Sequence, residues 1–174
     1  MSTTPPHRPL PESSARGVFE RAMRLLHGDE AEAAAKTCRE GLAQAPGNVD
    51  LLTLLGVALL DCRRPREALE PLQQAVARAP RFARARENLG QALLQTGQLD
   101  EAVSELQEAA RLDPGSDSAR MKLGYALAAL GSGEEADVIF EEAFSLAPDR
   151  RRLAEAGEHL REGRPRECER ICRE

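Results

Sequence analysis

The sequence predicts an all-α fold, a solenoid of about four and a half helix-turn-helix units. Three observations predict it. The first is a repeat: shifting the chain by 34 residues superposes Gly56, Gly90 and Gly124, then Leu25, Leu59, Leu93 and Leu127, then Ala34, Ala68, Ala102 and Ala136. The second is punctuation. Each stretch carries two apolar patterns of helical period, parted by a turn and closed by Pro46, Pro80, Pro114 or Pro148. The third is composition: hydrophobic residues make up 41% and aromatics only 3%, with no Trp, so Ala and Leu carry the packing. Small and aliphatic residues suit closely stacked helices better than a sheet.

Residues 1–14 hold Pro5, Pro6, Pro9 and Pro11. Proline lacks the N–H that a helix interior needs, so a disordered or partly polyproline-like arm is expected. Its plain reading is a solvated leader, its functional reading a docking arm. The first unit is placed at 15–48, with Val18, Ala22, Leu25 and Leu26 on one helix face and Gly28-Asp29 as the turn. In the second unit, 49–82, Leu51 to Leu60 is apolar nearly all round, which predicts burial on several sides. Pro71 falls inside that unit's second helix and is expected to bend it without breaking it. The third unit, 83–116, is the clearest. Leu89, Gly90 and Leu93 precede Gly97; Ala102, Leu106 and Ala109 precede Pro114. The fourth, 117–148, keeps the spacing, and Ser116 or Asp117 is placed to cap its first helix. Beyond it the register slips, since Gly131 to Gly163 is 32 residues, not 34. Residues 149–174 read as a partial unit or a polar cap. The alternative is that the chain is the front part of a longer protein.

Gly56, Gly90 and Gly124 stand mid-helix, where Gly costs roughly 1 kcal/mol relative to Ala. Three at one register predict a close helix approach, with Ala68, Ala102 and Ala136 as the expected facing residues.

These units resemble the tetratricopeptide repeat family. In the third unit the family's signature positions are held by Arg86, Leu89, Gly90, Leu93, Ala102, Leu106, Ala109 and Pro114; in the fourth by Arg120, Leu123, Gly124, Leu127, Ala136, Phe140, Ala143 and Pro148. Arg86 and Arg120 depart from the family, which has a bulky residue there; Val18 and Leu52 fill that place in the other two units. The resemblance implies a right-handed superhelix whose concave wall is built from the first helix of each unit and holds a peptide or partner segment. The groove residues this implies are Phe19, Met23, Thr53, Val57, Arg84, Asn88, Gln91, Gln95, Lys122 and Tyr125, with Arg16 and Leu60 beside them. Asn88, Gln91 and Gln95 form an amide ladder suited to an extended backbone. The family's clamp for a terminal carboxylate needs five basic or amide residues. The matching Thr53, Val57, Asn88, Ser118 and Lys122 supply only two, so chaperone-tail binding is disfavoured.

Composition and motifs exclude other classes. A net charge of −5 with no concentrated basic patch argues against nucleic acid. No apolar run reaches membrane-spanning length, and the N-terminus lacks a signal-peptide core. Lys36 and Lys122 are the only lysines among 24 basic residues; that Arg bias points to a GC-rich bacterial genome. Cys38, Cys62, Cys168 and Cys172 do not make a secreted disulfide framework, so a cytoplasmic protein with reduced thiols is expected. Cys168 and Cys172 share a helix face, but buried packing explains such cysteines better than a metal. His7, His27 and His159 have no partner at a metal or catalytic spacing, and no phosphate-binding loop follows a strand. Neither cofactor nor catalysis is predicted. The expected function is that of a non-enzymatic adaptor or scaffold for a protein or peptide. The alternatives are the partner-recruiting front of a bacterial transferase (a sulfotransferase or glycosyltransferase, for example) and a secretion or pilus-assembly chaperone.

Overall fold

A computed structural model describes residues 14–149 and 151 of the 174-residue chain. Within them lie eight α-helices: α1 (Ala15–His27), α2 (Ala31–Gln44), α3 (Val49–Asp61), α4 (Pro65–Arg78), α5 (Ala83–Thr96), α6 (Leu99–Leu112), α7 (Asp117–Ala129) and α8 (Gly133–Leu146). They pair as four consecutive hairpins. The Pro-rich arm and nearly all of the closing partial unit fall outside the described residues.

Each hairpin turn is the same device. The backbone N–H groups of Glu30, Arg64, Gln98 and Ser132 donate to the carbonyls of Leu25, Leu59, Leu93 and Leu127 at 2.9, 2.9, 3.0 and 3.0 Å. This closes the first helix by satisfying one of its orphan carbonyls, and it needs the preceding residue in the left-handed region. Gly97 and Gly131 supply that at φ 82° and 86°, while Asp29 and Arg63 adopt it at 58° and 59°. Between units, prolines sit in tight turns closed by Asn48 N–H to Ala45, Phe82 N–H to Ala79 and Ser116 N–H to Asp113. Three of the four first helices are then started by a side chain: Ser14, Asn48 and Ser116 accept from the backbone N–H of Gly17, Leu51 and Ala119. Ser116, not Asp117, caps α7. The helix α4 runs unbroken through Pro71, which is buried.

One core cluster threads the array from Ala22 to Ala136, and a smaller one of Leu52, Ala75 and Ala85 joins the second and third units. Leu51, Leu59, Leu72, Leu106 and Cys38 are the largest wholly buried side chains; each such leucine contributes roughly 1.5–3 kcal/mol. The mid-helix glycines do mark close approach, but the expected facing residues need correcting. A Cβ on Gly56, Gly90 or Gly124 would lie 2.4, 2.5 or 2.4 Å from Leu72, Leu106 or Phe140, not against Ala68, Ala102 or Ala136. The glycine is a socket for one large side chain of the paired helix.

The arginines that replace the family's bulky residue are fixed twice. Arg86 donates to the Pro80 carbonyl at 2.7 Å and pairs with Glu105 at 2.7 Å. Arg120 likewise donates to the Pro114 carbonyl at 2.7 Å and pairs with Glu142 at 3.4 Å. Each ties an inter-unit turn to the second helix of the next unit, replacing an apolar contact by charge-assisted bonds.

Candidate functional site

Among the described helices, α1 touches α3, α3 touches α5 and α5 touches α7, whereas no such contact joins α2, α4, α6 and α8. The first helices are thus the crowded layer and the second helices the splayed one. Elements stacked in an arc crowd on its inside, so the first helices form the concave wall.

On that wall, α1, α3 and α5 border a cleft of about 420 Å³. Helical spacing aims the lining. Phe19, Met23 and Leu26 follow i, i+4, i+7 on α1; Leu54, Val57 and Asp61 follow i, i+3, i+7 on α3; Arg84, Glu87 and Asn88 share one face of α5. Phe82, at the start of α5, closes one end with Asp50 and Arg84, while His27 and Asp61 stand at the other. The floor is apolar and the ends are polar, the usual composition of a ligand cleft.

The charges are unevenly spent. Glu87 accepts from Ser118 Oγ at 2.8 Å and pairs with Lys122. Asp61 ends α3, and its carboxyl is raised above the ordinary carboxylate range, first by burial and then by the charge of Asp29. Burial likewise pushes the Cys38 thiol up to about 12, which makes it an inert core residue. Cys62 instead donates to Glu32 at 3.4 Å, and its thiol too is raised, by burial and by that bond. No group of three or more His, Cys, Asp or Glu among the described residues is placed to hold a metal ion.

Six of the ten residues read from sequence meet in the cleft: Phe19, Met23, Thr53, Val57, Arg84 and Asn88. Thr53 is buried and its hydroxyl donates to the Val49 carbonyl at 2.8 Å, so it offers a methyl group rather than a polar contact. Asn88 is also buried, only 8% exposed. Gln91 and Gln95 continue along α5 beyond the cleft, half-buried and exposed respectively. Lys122 is not an open cation, because Glu87 holds it. Tyr125 lies outside the cleft on α7, exposed, with its ring edge-on to Phe140 at 5.2 Å between centroids. Of the neighbours, Arg16 pairs with Glu20 and Leu60 is buried.

Sequence reading missed Leu26, His27, Asp50, Leu54, Asp61, Phe82 and Glu87. The repeat itself held the signal for most of them. His27 and Asp61 share the register of Gln95, Glu87 that of Phe19 and Thr53, and Asp50 that of Arg84. Carrying each register through every unit finds them.

Tetratricopeptide repeat models match residues 53–117 and 93–160. The chain belongs to the tetratricopeptide repeat family. Among solved structures, this tetratricopeptide array is similar to TTC0263, a thermophilic TPR protein of Thermus thermophilus: 24% identity, TM-score 0.75, covering 91% of this chain and 88% of that one. It is similar to YrrB, a TPR protein with an unusual peptide-binding site, at 28% identity and TM-score 0.68, covering 79% and 71%. It is similar to MamA at 24% identity and TM-score 0.69, covering 86% and 89%. No curated protein matches the chain by sequence. Among the described residues, no helix is long and apolar enough to cross a membrane.

Proposed function

We propose that this tetratricopeptide array is a non-catalytic binding module that holds a peptide or partner segment against its concave wall, chiefly in the cleft between α1, α3 and α5. One observation carries the reading: an open cleft of about 420 Å³ lined by six apolar side chains, Phe19, Met23 and Leu26 on α1, Leu54 and Val57 on α3, and Phe82 at the start of α5. Apolar side chains gathered on an otherwise polar surface are worth covering, and an extended segment laid along the cleft covers them. The resemblance to YrrB, whose peptide-binding site is its described feature, supports the same reading. Gln91 and Gln95 extend the wall with amides that can pair with the ligand backbone.

The test is capture from lysate, identification of the protein retained, and titration of that purified protein against three forms of the chain: unaltered, Val57→Glu, and Gln73→Glu on the exposed side of α4. A charge beside the cleft floor is expected to weaken binding at least tenfold, since a buried apolar contact loses about 1–3 kcal/mol when charged. The change on α4 is expected to leave binding unaltered. Equal loss in both variants, or in neither, would move the site elsewhere.

A further inference from the structure

One of the cleft's carboxylates is placed against the electrostatics of its own helix. Asp61 is the last residue of α3, where the helix dipole already presents its negative end. Asp29, in the turn that follows α1, adds a second negative charge within reach of it. Neither carboxylate has an ion pair or hydrogen bond to a described side chain, nor does Asp50 at the other end of the cleft. The carboxylate that does have partners, Glu87, is neutralised by Lys122. The titratable and charged groups lining the cleft are thus Asp50, Asp61, Glu87, Arg84 and His27. With Glu87 cancelled by Lys122 and Asp29 added, three uncompensated carboxylates stand against Arg84 and His27. Like charges left facing one another at a helix C-terminus cost stability, and a bound cation removes that cost.

Geometry gives the spacing of the ligand. Val57 on the cleft floor and Asp61 at its edge are one helical turn apart, about 5–6 Å. In an extended segment, residues i and i+2 point to the same side about 6.6 Å apart. A side chain seated on Met23 and Val57 therefore puts the residue two places away over Asp61.

We propose that the cleft selects a basic apolar segment, in which a bulky apolar residue and a Lys or Arg are separated by one residue, the first seated on Phe19, Met23, Leu54 and Val57 and the second at Asp61. This rests on the reading of the cleft as a peptide site and adds the chemistry of its partner. Arg84 and Asn88 lie at the far side of the floor and meet the ligand's carbonyl groups.

The experiment is fluorescence anisotropy on the full chain with three dye-labelled peptides: alternating Leu-Ser-Lys-Ser, the same with Glu for Lys, and the same with Gly for Leu. The Leu–Lys peptide is expected to bind, with the Glu and Gly forms each about tenfold weaker or worse at low salt. Asp61→Asn is expected to weaken the Leu–Lys peptide about threefold to fivefold and to leave the Leu–Glu peptide no weaker. Equal binding of the Glu form would overturn the charge selection while leaving the cleft a peptide site. Equal binding of the Gly form would reduce the effect to attraction by a net-acidic protein and overturn the seat. Binding of none of the three, to the unaltered chain or to one carrying Arg8→Glu and Leu10→Gly, would overturn the proposal, whereas the peptide-site reading stands or falls on the captured protein and Val57→Glu. The chain's own arm carries Arg8 and Leu10 at the same spacing. If the Leu–Lys peptide binds only after Arg8→Glu and Leu10→Gly, the arm is the occupant and the proposal of a separate partner fails.

Discussion

Replacing Gly90 with alanine tests the packing logic of the array at one atom. Alanine is the better helix former by roughly 1 kcal/mol, so propensity alone predicts stabilisation. The added Cβ, however, would sit 2.5 Å from Leu106 Cγ and 2.9 and 3.2 Å from its two methyls. Carbon atoms rest about 3.5–4.0 Å apart, so the overlap with Cγ is at least about 1 Å. Leu106 is wholly buried and cannot yield without moving its own neighbours. Overpacking of this kind costs about 1–3 kcal/mol. Taking the upper part of that range and subtracting the propensity gain leaves about 1–2 kcal/mol of destabilisation. Urea unfolding followed by helix ellipticity measures it, with the midpoint as readout because a linear array need not unfold in one step. The decisive comparison adds Leu106→Ala, which alone costs about 2–5 kcal/mol. In that background the clash is gone and only propensity remains, so Gly90→Ala should become stabilising by up to about 1 kcal/mol. Gly133→Ala, with nothing within 4 Å of its new Cβ, serves as control and should not destabilise. A Gly90→Ala chain that is more stable than the parent, or equally destabilised with and without Leu106, would refute the socket.

Three further outcomes follow from the geometry. The carboxyl of Asp61 is raised in the folded state, so folding binds its proton and the ionised form works against stability. Asp61→Asn should therefore raise the melting temperature at pH 7, and the gain should vanish as pH falls below the ordinary value of 3.8, where both states are protonated. Glu105→Ala leaves the largely buried Arg86 guanidinium hydrogen-bonded to the Pro80 carbonyl, with the charge of Glu108 as its remaining electrostatic partner, and should cost about 1 kcal/mol in a urea melt, whereas Arg86→Met, which removes the charge as well, should cost less. Thiol alkylation mapped by peptide mass spectrometry should modify Cys62 in the native protein and spare Cys38 until urea opens the array, because Cys38 is wholly buried and its thiol stays protonated.

The fold was legible because its determinants are local and repeated. Leu25, Leu59, Leu93 and Leu127 recur because the same carbonyl closes the same turn four times, and the prolines recur because the same turn joins each unit to the next. What a glycine faces was not legible. Spacing shows that Gly90 needs room, but only the packing of α5 on α6 shows that Leu106, not Ala102, fills it. The site was half legible for a related reason. Phe19, Met23, Val57 and Arg84 can be placed from the concave register, yet whether a polar residue is open depends on neighbours a unit away. Lys122 reads as an open cation until Glu87 is found beside it, 35 positions earlier in the chain. Thr53 is placed on the wall by its register, but only the structure shows its hydroxyl turned back to the Val49 carbonyl.

The proposed ligand site is the concave wall between α1, α3 and α5. Amide chemical-shift mapping of the labelled chain during titration with the Leu–Lys peptide tests it most directly. Shifts are expected to concentrate at Phe19, Met23, Val57, Asp61 and Asn88, with the amides of α4 and α6 unmoved. Shifts centred on the outer helices would contradict it.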